Sequence, residues 1–188
     1  MSTVTVKEVI ITPEEYIAGE LLSDVRHEYY AGRVEAMAGA SDPHGTIASN
    51  FNIQLGWHLR ETPCKTFVAD MKVHIRSADE HWFYYPDLVV SCDPAGQHHS
   101  YCDTPSVIVE VLSDSTEHKD RREKFFAFST ILSLHTYILA AQDKREVTVY
   151  RRVDGEWKRV ILSGSDTLSI PELEFSVSLD ALYAKTGL

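Results

Sequence analysis

Two short apolar runs, Tyr85-Pro86-Asp87-Leu88-Val89-Val90 and Val107-Ile108-Val109-Glu110-Val111-Leu112, each contain a single acidic residue. Both runs are apolar and β-branched enough to predict central strands of a sheet. An unpaired, ionised carboxylate in such a strand is costly in free energy or is forced into its neutral form. A divalent cation held between neighbouring strands would offset that cost, because Mg²⁺ and Mn²⁺ take carboxylate oxygens as ligands. We therefore expect Asp87 and Glu110 to be metal ligands.

The local sequence also places both acids near strand ends. Asp87 follows Pro86, which has no amide hydrogen and so favours the end, edge or bulge of a strand. Glu110 comes three residues before Ser113-Asp114-Ser115, a turn-forming segment. Ligands of open α/β sheets bind at the carboxyl ends of strands. The two carboxylates are thus expected to border a ligand site.

Length and composition are those of an ordinary globular domain. The chain has 188 residues, 44% of them hydrophobic and 24% charged, and we expect one domain spanning 1–188. It has no apolar run of the roughly 20 residues that a membrane helix needs, and its N-terminus does not resemble a secretory signal. We expect a cytoplasmic protein. Three cysteines without a Cys-x-x-Cys spacing predict reduced thiols rather than disulfides or a zinc site (Cys64, Cys92 and Cys102).

The net charge of −10 is unfavourable for a non-specific nucleic-acid binder, which gains most of its affinity from neutralised phosphates. The charge is unevenly distributed, however, because residues 119–160 contain ten Lys or Arg and six acids. This excess predicts either a local DNA-facing surface or ordinary solvated faces of helices and hairpins. The sequence leaves both interpretations open.

Hydrophobic periodicity and turn signals predict an alternating series of helices and strands. In chain order these are a helix capped by Thr12, a hairpin over 26–38, a helix beginning after Ser41 with Ile47, Phe51, Leu55 and Leu59 on its apolar face, a hairpin over 67–92, a strand through Glu110, a helix over 116–130 with Phe125, Phe128 and Leu132 on its apolar face, a strand over 137–141, a hairpin over 146–162, and a final strand and helix over 173–188. The helix over 116–130 is expected to connect two parallel strands. The expected fold class is α/β, with helices on the faces of a mixed sheet and a hairpin towards each end of the chain.

A longer set of residues resembles a known family. The matching segments are Glu28-Tyr29 with Gly32, Met37-Ala38-Gly39, His44 at the start of a helix, Pro86-Asp87-Leu88-Val89-Val90, Val109-Glu110-Val111-Leu112-Ser113 with Ser115-Thr116, and Asp120-Arg121 with Lys124. Together they resemble the Uma-two family of restriction endonuclease-like proteins, in the PD-(D/E)XK nuclease superfamily. The resemblance implies a restriction endonuclease-like core, a homodimer, and Mg²⁺- or Mn²⁺-dependent cutting of DNA with Asp87 and Glu110 as metal ligands.

One position departs from the superfamily pattern. Leu112 stands where the motif has lysine, two residues after the glutamate. The resemblance implies that Lys124, on the following helix, supplies the catalytic ammonium instead. The alternative for Lys124 is an exposed ion pair with Asp120, which would contribute only a few tenths of a kcal/mol.

Two further residues are candidates for the site. His44 could contact phosphate or the attacking water, or could simply be solvated at the helix start. Glu28 could support the site, or could form a hairpin ion pair with Arg26 or Arg33. Two other groups are weaker candidates: the loop pair His98-His99 as transition-metal ligands, and the aromatic run 82–85 as a base-stacking surface rather than core.

Three functions fit these observations. The first is a metal-dependent endonuclease that uses Asp87, Glu110 and Lys124. The second is a DNA-binding or regulatory module that keeps the nuclease fold without turnover, which Leu112 and the acidity favour. The third is a structural homo-oligomer whose acids form ion pairs between strands.

Overall fold

The computed structural model describes residues 10–37, 39–93, 98–113 and 117–188. Its helices are α1 (Pro13–Glu20), α2 (Asp42–Leu59), α3 (Glu117–Lys119), α4 (Phe125–Ser129) and α5 (Leu179–Leu182), with a π-helical turn over Asp120–Lys124 and a 3₁₀ turn over Pro171–Leu173. Its strands are β1 (His27–Tyr30), β2 (Arg33–Ala36), β3 (Lys65–Val68), β4 (Lys72–Ser77), β5 (Glu80–Tyr84), β6 (Leu88–Ser91), β7 (Tyr101–Cys102), β8 (Val107–Leu112), β9 (Thr136–Ala141), β10 (Glu146–Val153), β11 (Glu156–Ser163), β12 (Thr167–Ile170) and β13 (Phe175–Ser178).

The strands form two main sheets and one small hairpin. The six-stranded sheet has the order β11-β10-β9-β8-β6-β3, and the five-stranded sheet has the order β2-β1-β5-β4-β7. Strands β8 and β9 pair in parallel, whereas β6 and β8 pair antiparallel, so the larger sheet is mixed. Strands β12 and β13 pair only with each other among the described residues. The predicted α/β class is confirmed.

The two arms of the hairpin predicted over 67–92 pair as expected, but neither arm is one continuous strand. Each arm was expected to be one strand, yet each contributes to both sheets: β3 pairs with β6 in the larger sheet and β4 with β5 in the smaller. The break falls at Pro86, which cannot donate to a ladder, and opposite it at Ala69, which has a φ of 52°. The Ala69 amide donates to the carbonyl of Asp87 at 3.1 Å. Asp87 therefore lies at the junction of the two sheets.

The helical crossover from β8 to β9 is confirmed. Strand β9 runs parallel to β8, with Glu110 opposite Leu139, and the segment from Glu117 to Ser129 connects them. The predicted start of this helix at Thr116 lies outside the described residues. Leu132 is not on the apolar face as predicted, because helix α4 ends at Ser129 and the Leu132 side chain is 85% exposed in the turn that follows.

Both faces of the larger sheet are buried, which explains why its central strands are apolar throughout. The predicted apolar face of α2 packs on one face, against the side chains of Val107, Val109 and Val111. Phe128 of α4 and Ile108 and Leu112 of β8 belong to a second cluster on the other face. Alternation along β8 places Glu110 on this second face.

The prediction of three reduced cysteines is wrong. Cys64 and Cys92 form a disulfide, and Cys102 is a buried free thiol. The antiparallel register explains the pairing, because Lys65 lies opposite Ser91 and the next residues outward are the two cysteines. Three cysteines allow one pair and one thiol, and only the register shows which two meet.

No helix in the described part of the chain is long and apolar enough to span a membrane. The cytoplasmic location and the single domain over 1–188 stay predictions.

Reduction of the Cys64–Cys92 disulfide is expected to destabilise the fold. A bridge across a sequence separation of 28 restricts the unfolded chain and contributes about 2–4 kcal/mol. Thermal melts with and without dithiothreitol should show a lower Tm for the reduced protein. The Cys102→Ala variant should keep this sensitivity, and a Cys64→Ser/Cys92→Ser variant should lose it. An identical Tm in both conditions would contradict the assignment.

Candidate active site

A cleft of about 480 Å³ lies where the two sheets meet. All five residues predicted for the site contribute to its lining, together with residues of β2, the start of α2 and the π-helical turn. The predicted residues are Glu28, His44, Asp87, Glu110 and Lys124. The structure therefore brings the candidates together from five segments of the chain, and their chemical roles stay predictions.

Asp87 is held by two contacts on its two carboxylate oxygens. Oδ2 accepts a hydrogen bond from the Val111 amide at 2.7 Å, and Oδ1 lies 2.8 Å from Nε2 of His44. Because Leu88 lies opposite Val109, continuation of this register brings Asp87 beside Glu110. Asp87 also alternates with Val89, whose side chain is in the same apolar cluster as Ile108 and Leu112. The two acids therefore share one face of the sheet.

Glu110 is almost completely buried, with 3% of its surface exposed. Its Oε1 lies 3.1 Å from Nζ of Lys124 and accepts a hydrogen bond from it. Burial raises the pKa of Glu110 well above its ordinary value; Lys124 opposes this rise, and the charges of Asp120 and Asp87 add to it. The Glu110 carboxyl group thus needs positive charge nearby to remain ionised.

Lys124 supplies that charge from within a cluster of three carboxylates. Its Nζ lies 3.1 Å from Glu28, 3.1 Å from Glu110 and 3.2 Å from Asp120. Burial alone would lower the pKa of Lys124, but the charges of Glu110, Glu28 and Asp120 outweigh it and raise this pKa well above its ordinary value. The ammonium is therefore charged and held in place.

The alternative for Lys124 is right about the ion pair with Asp120 but wrong about its exposure, because both side chains are buried. They lie in the π-helical turn, a wider turn that often marks functional positions in helices. Asp120 Oδ1 accepts no hydrogen bond from the described residues, although it lies 3.2 Å from Nζ of Lys124. Sequence reasoning missed the burial of Asp120, since a helix with 3.6 residues per turn gave no sign of this local widening.

Glu28 connects the five-stranded sheet to the site. The Tyr30 hydroxyl donates to Oε2 at 2.6 Å, and Nζ of Lys119 lies 2.9 Å from the same oxygen. Burial would raise the pKa of Glu28, but Lys124, Tyr30 and Lys119 lower it below its ordinary value. The sequence offered an ion pair with Arg26 or Arg33 as the alternative role of Glu28, and it gave no sign of Lys119, which lies 91 residues away along the chain.

His44 lies in the first turn of α2, where its amide donates to Oγ of Ser41 at 3.3 Å. Burial would lower the pKa of His44, but the hydrogen bond and charge of Asp87 raise it above its ordinary value. The imidazole contacts a predicted metal ligand rather than being simply solvated. Its position fixes the Asp87 side chain.

The donor set fits a hard divalent cation. Within the described residues, no group of three or more His, Cys, Asp or Glu side chains is placed to hold a metal ion. A cation would instead rest on the carboxylates of Asp87 and Glu110 with water and phosphate oxygens, a ligand set that Mg²⁺ accepts. The cleft has room for such ligands, and its crowded acids favour added positive charge.

The weaker candidates have other contacts. His98 stacks on Tyr101 with ring centroids 4.2 Å apart. Of the aromatic run, Phe83, Tyr84 and Tyr85 are buried core residues, whereas Trp82 is half-buried.

The basic stretch over 119–160 divides between structural and cleft-facing residues. Arg151 and Arg152 donate hydrogen bonds to backbone carbonyls, so these two contribute to the fold. Lys119 and Lys124 line the cleft. Whether any of the basic stretch faces DNA stays a prediction.

Comparisons with known proteins found similar sequences and a similar fold. A family model described as "Uma2: Putative restriction endonuclease" matches residues 13–181. Two proteins of Synechocystis sp. (strain ATCC 27184 / PCC 6803 / Kazusa) are similar: "Uncharacterized protein slr1290" is 31% identical over 92% of this chain and 91% of its own, and "Uncharacterized protein sll1609" is 32% identical over 89% and 93%. The crystal structure of "a putative nuclease belonging to DUF820 from Anabaena variabilis ATCC 29413" matches with a TM-score of 0.71 and 14% identity, over 87% of this chain and 93% of that one. This likeness shows a shared fold.

Removal of the Lys124 charge is expected to destabilise the protein strongly. Lys124→Met leaves buried carboxylates without their counter-ion, which should lower the free energy of unfolding by about 3–5 kcal/mol. Urea denaturation measures this loss. Adding Glu110→Gln should restore part of this loss, because it removes one uncompensated charge. The control is Lys144→Met, which breaks an exposed ion pair with Glu146 and should cost less than about 1 kcal/mol. Equal losses for the two lysine variants would contradict the account.

Proposed function

Because the chain belongs to the Uma2 family, described as "Putative restriction endonuclease", we propose that it is a Mg²⁺- or Mn²⁺-dependent endonuclease that hydrolyses DNA phosphodiester bonds. One observation carries the proposal: Asp87 and Glu110 reach a single cleft from neighbouring strands, beside a buried lysine. Strands β6 and β8 run antiparallel, so the start of one meets the end of the other at this point.

Asp87 and Glu110 are the residues that would hold the cation. A bound Mg²⁺ or Mn²⁺ lowers the pKa of its water and stabilises negative charge on the scissile phosphate. Asp87 is restrained by the Val111 amide and by His44, which limits its rotation. This restraint supports a fixed ligand position, as an efficient site requires.

Lys124 takes the place of the lysine that the superfamily motif has at position 112. Leu112 and Glu110 are two residues apart on one strand and point to the same face, so a lysine at 112 would approach Glu110 from that face. Leu112 instead packs in the apolar cluster with Phe128, and the π-helical turn brings Lys124 to Glu110 from above the same face. The ammonium is thus positioned to orient the attacking water or to neutralise charge that develops on phosphate.

Glu28 and Asp120 position this ammonium rather than contact the cation in our proposal. Both lie within 3.2 Å of Lys124 Nζ, and Glu28 is in turn fixed by Tyr30 and Lys119. Lys119 is 24% exposed and lines the cleft, where it could meet a DNA phosphate. The homodimer implied by the family resemblance stays a proposal.

A catalytically inactive module is the second candidate function. Leu112 occupies the motif position, and the Lys124 ammonium already contacts three carboxylates, which could hold it away from substrate. Such a module would keep the fold and bind DNA or regulate another protein without turnover. Cleavage and metal binding, measured separately, distinguish the two functions.

The endonuclease proposal predicts metal-dependent cutting of plasmid DNA. Supercoiled plasmid incubated with the protein and Mg²⁺ or Mn²⁺ should be nicked or linearised, and EDTA should stop the reaction. Asp87→Ala, Glu110→Ala and Lys124→Met should each slow cleavage about 100-fold or more, because each removes a group that stabilises the transition state. Asp180→Asn, which alters an exposed ion pair with Arg145, should cut like the wild type. Equal cutting by all variants, or none with either metal, would count against the proposal.

A metal-binding measurement distinguishes three functions: the endonuclease, the inactive module and the structural homo-oligomer. A Mn²⁺ titration followed by calorimetry should show binding to the wild type that is lost in Asp87→Asn. Asparagine can still accept from the Val111 amide, so this variant should keep or gain thermal stability by relief of carboxylate repulsion. Mn²⁺ binding without cleavage would favour the inactive module. A large loss of stability in Asp87→Asn, with no Mn²⁺ binding to the wild type, would favour the structural role.

A further inference from the structure

A second cavity, of about 530 Å³, lies between the five-stranded sheet and the crossover helix. Its volume falls in the range of about 300–1,000 Å³ that is usual for ligand pockets. Its walls are largely apolar, with Trp82, Tyr84 and Phe126 as aromatic members and Ile75 from β4. None of the five main candidates (Glu28, His44, Asp87, Glu110 and Lys124) lines this cavity, whereas Trp82 and Tyr84 of the aromatic run do.

The cavity adjoins the candidate active site on the same face of the sheet. Glu28 of the active-site cleft and Tyr30 alternate on β1, and Tyr30 lies opposite Trp82 of the cavity. Two residues of strand correspond to about 7 Å. A chain molecule bound in the active-site cleft would therefore have the cavity within reach.

One helical turn contributes to both spaces. Asp120 and Lys124 of the π-helical turn line the active-site cleft, whereas Arg122 and Glu123 line the cavity. The Tyr84 hydroxyl donates to Oε1 of Glu123 at 3.3 Å, and the Tyr84 ring lies 5.9 Å from Nζ of Lys124. The π-helical turn and the buried Tyr84 thus separate the active-site cleft from the cavity.

The lining has the chemistry of a base-binding site. Phe126 is a large aromatic side chain that is 76% exposed, although burying it would be favourable. Aromatic rings stack on any base, and hydroxyl and charged groups at the rim can meet the polar edge of the base or its phosphate. Ser77 and Arg122 provide such groups, whereas the Thr130 hydroxyl already donates to the Ala127 carbonyl and the Glu123 carboxylate accepts from Tyr84. Polar groups of this kind suit a nucleotide better than a purely apolar partner surface.

We infer that this cavity binds an unpaired nucleobase of the DNA substrate, stacked against Phe126 and Trp82, so that the protein prefers single-stranded or locally unpaired DNA. The inference rests on the proposed endonuclease function, because it assigns the base to the strand that occupies the neighbouring cleft. Taking a base out of a duplex requires unstacking, which costs least where the base is already unpaired.

The test uses a single-stranded oligonucleotide of about twelve thymidines with one central 2-aminopurine, a length within the range that such sites cover. Binding to the full-length protein is measured in Ca²⁺, by anisotropy of an end label and by 2-aminopurine fluorescence. Wild-type protein should bind and quench the 2-aminopurine. Phe126→Ala should weaken binding about 5- to 150-fold and abolish the quenching, since each stacked base contributes that much to affinity.

Two variants control for unrelated effects. Phe126→Tyr keeps a stacking ring and should bind like the wild type. Leu132→Ala removes another highly exposed apolar side chain, in the turn after α4, and should leave affinity and quenching unchanged. Phe126 is exposed, so its replacement should not alter the thermal melt.

Several outcomes would overturn the inference. These are no binding of the oligonucleotide, or equal affinity and quenching for wild type and Phe126→Ala. A dimer that Phe126→Ala dissociates without a change in oligonucleotide affinity would instead assign the cavity to a second copy of the chain. Failure of this inference is distinguishable from failure of the proposed function, because Asp87-dependent plasmid cutting would persist in the first case and be absent in the second.

Discussion

The structure depends on the neutralisation of one buried carboxylate. Glu110 lies in a central strand whose two faces are covered, where an isolated negative charge would be too costly to keep. Lys124 provides the compensating charge, but three carboxylates surround its ammonium, so the cluster retains excess negative charge. The surrounding acids make a buried lysine tolerable, and in our proposal the remaining negative charge attracts a further cation.

The fold assembles this cluster by joining two sheets at a break in one hairpin. Strand β5 ends at Tyr84, Pro86 lies in the break, and Asp87 immediately precedes β6 of the other sheet. As a result, Glu28 of the smaller sheet and Glu110 of the larger sheet both reach Lys124. A continuous hairpin would have kept these acids in one sheet. The break in the hairpin therefore also creates the cleft between the two sheets.

Much of this arrangement could be predicted from the sequence, because the relevant signals are local. The capping box at Thr12, the apolar face of α2 and the parallel crossover after β8 all follow from spacing and turn chemistry. The rest depends on contacts between distant residues. The Cys64–Cys92 disulfide needs the strand register, the pairing of Lys119 with Glu28 spans 91 residues, and the burial of Asp120 needs a π-helical turn that no periodicity revealed. The sequence shows that Leu112 stands where the superfamily motif has lysine. Only the folded structure shows that Lys124 reaches Glu110.

The most direct measurement is anomalous X-ray diffraction from crystals of the wild-type protein soaked in Mn²⁺, with Asp87→Asn crystals treated in the same way. The account predicts one strong Mn²⁺ peak within coordination distance of both the Asp87 and Glu110 carboxylates, and its loss in the variant. Two results would contradict the central claim. One is a Mn²⁺ peak elsewhere with none between these two acids, and the other is the Lys124 ammonium lying between the Asp87 and Glu110 carboxylates at saturating Mn²⁺.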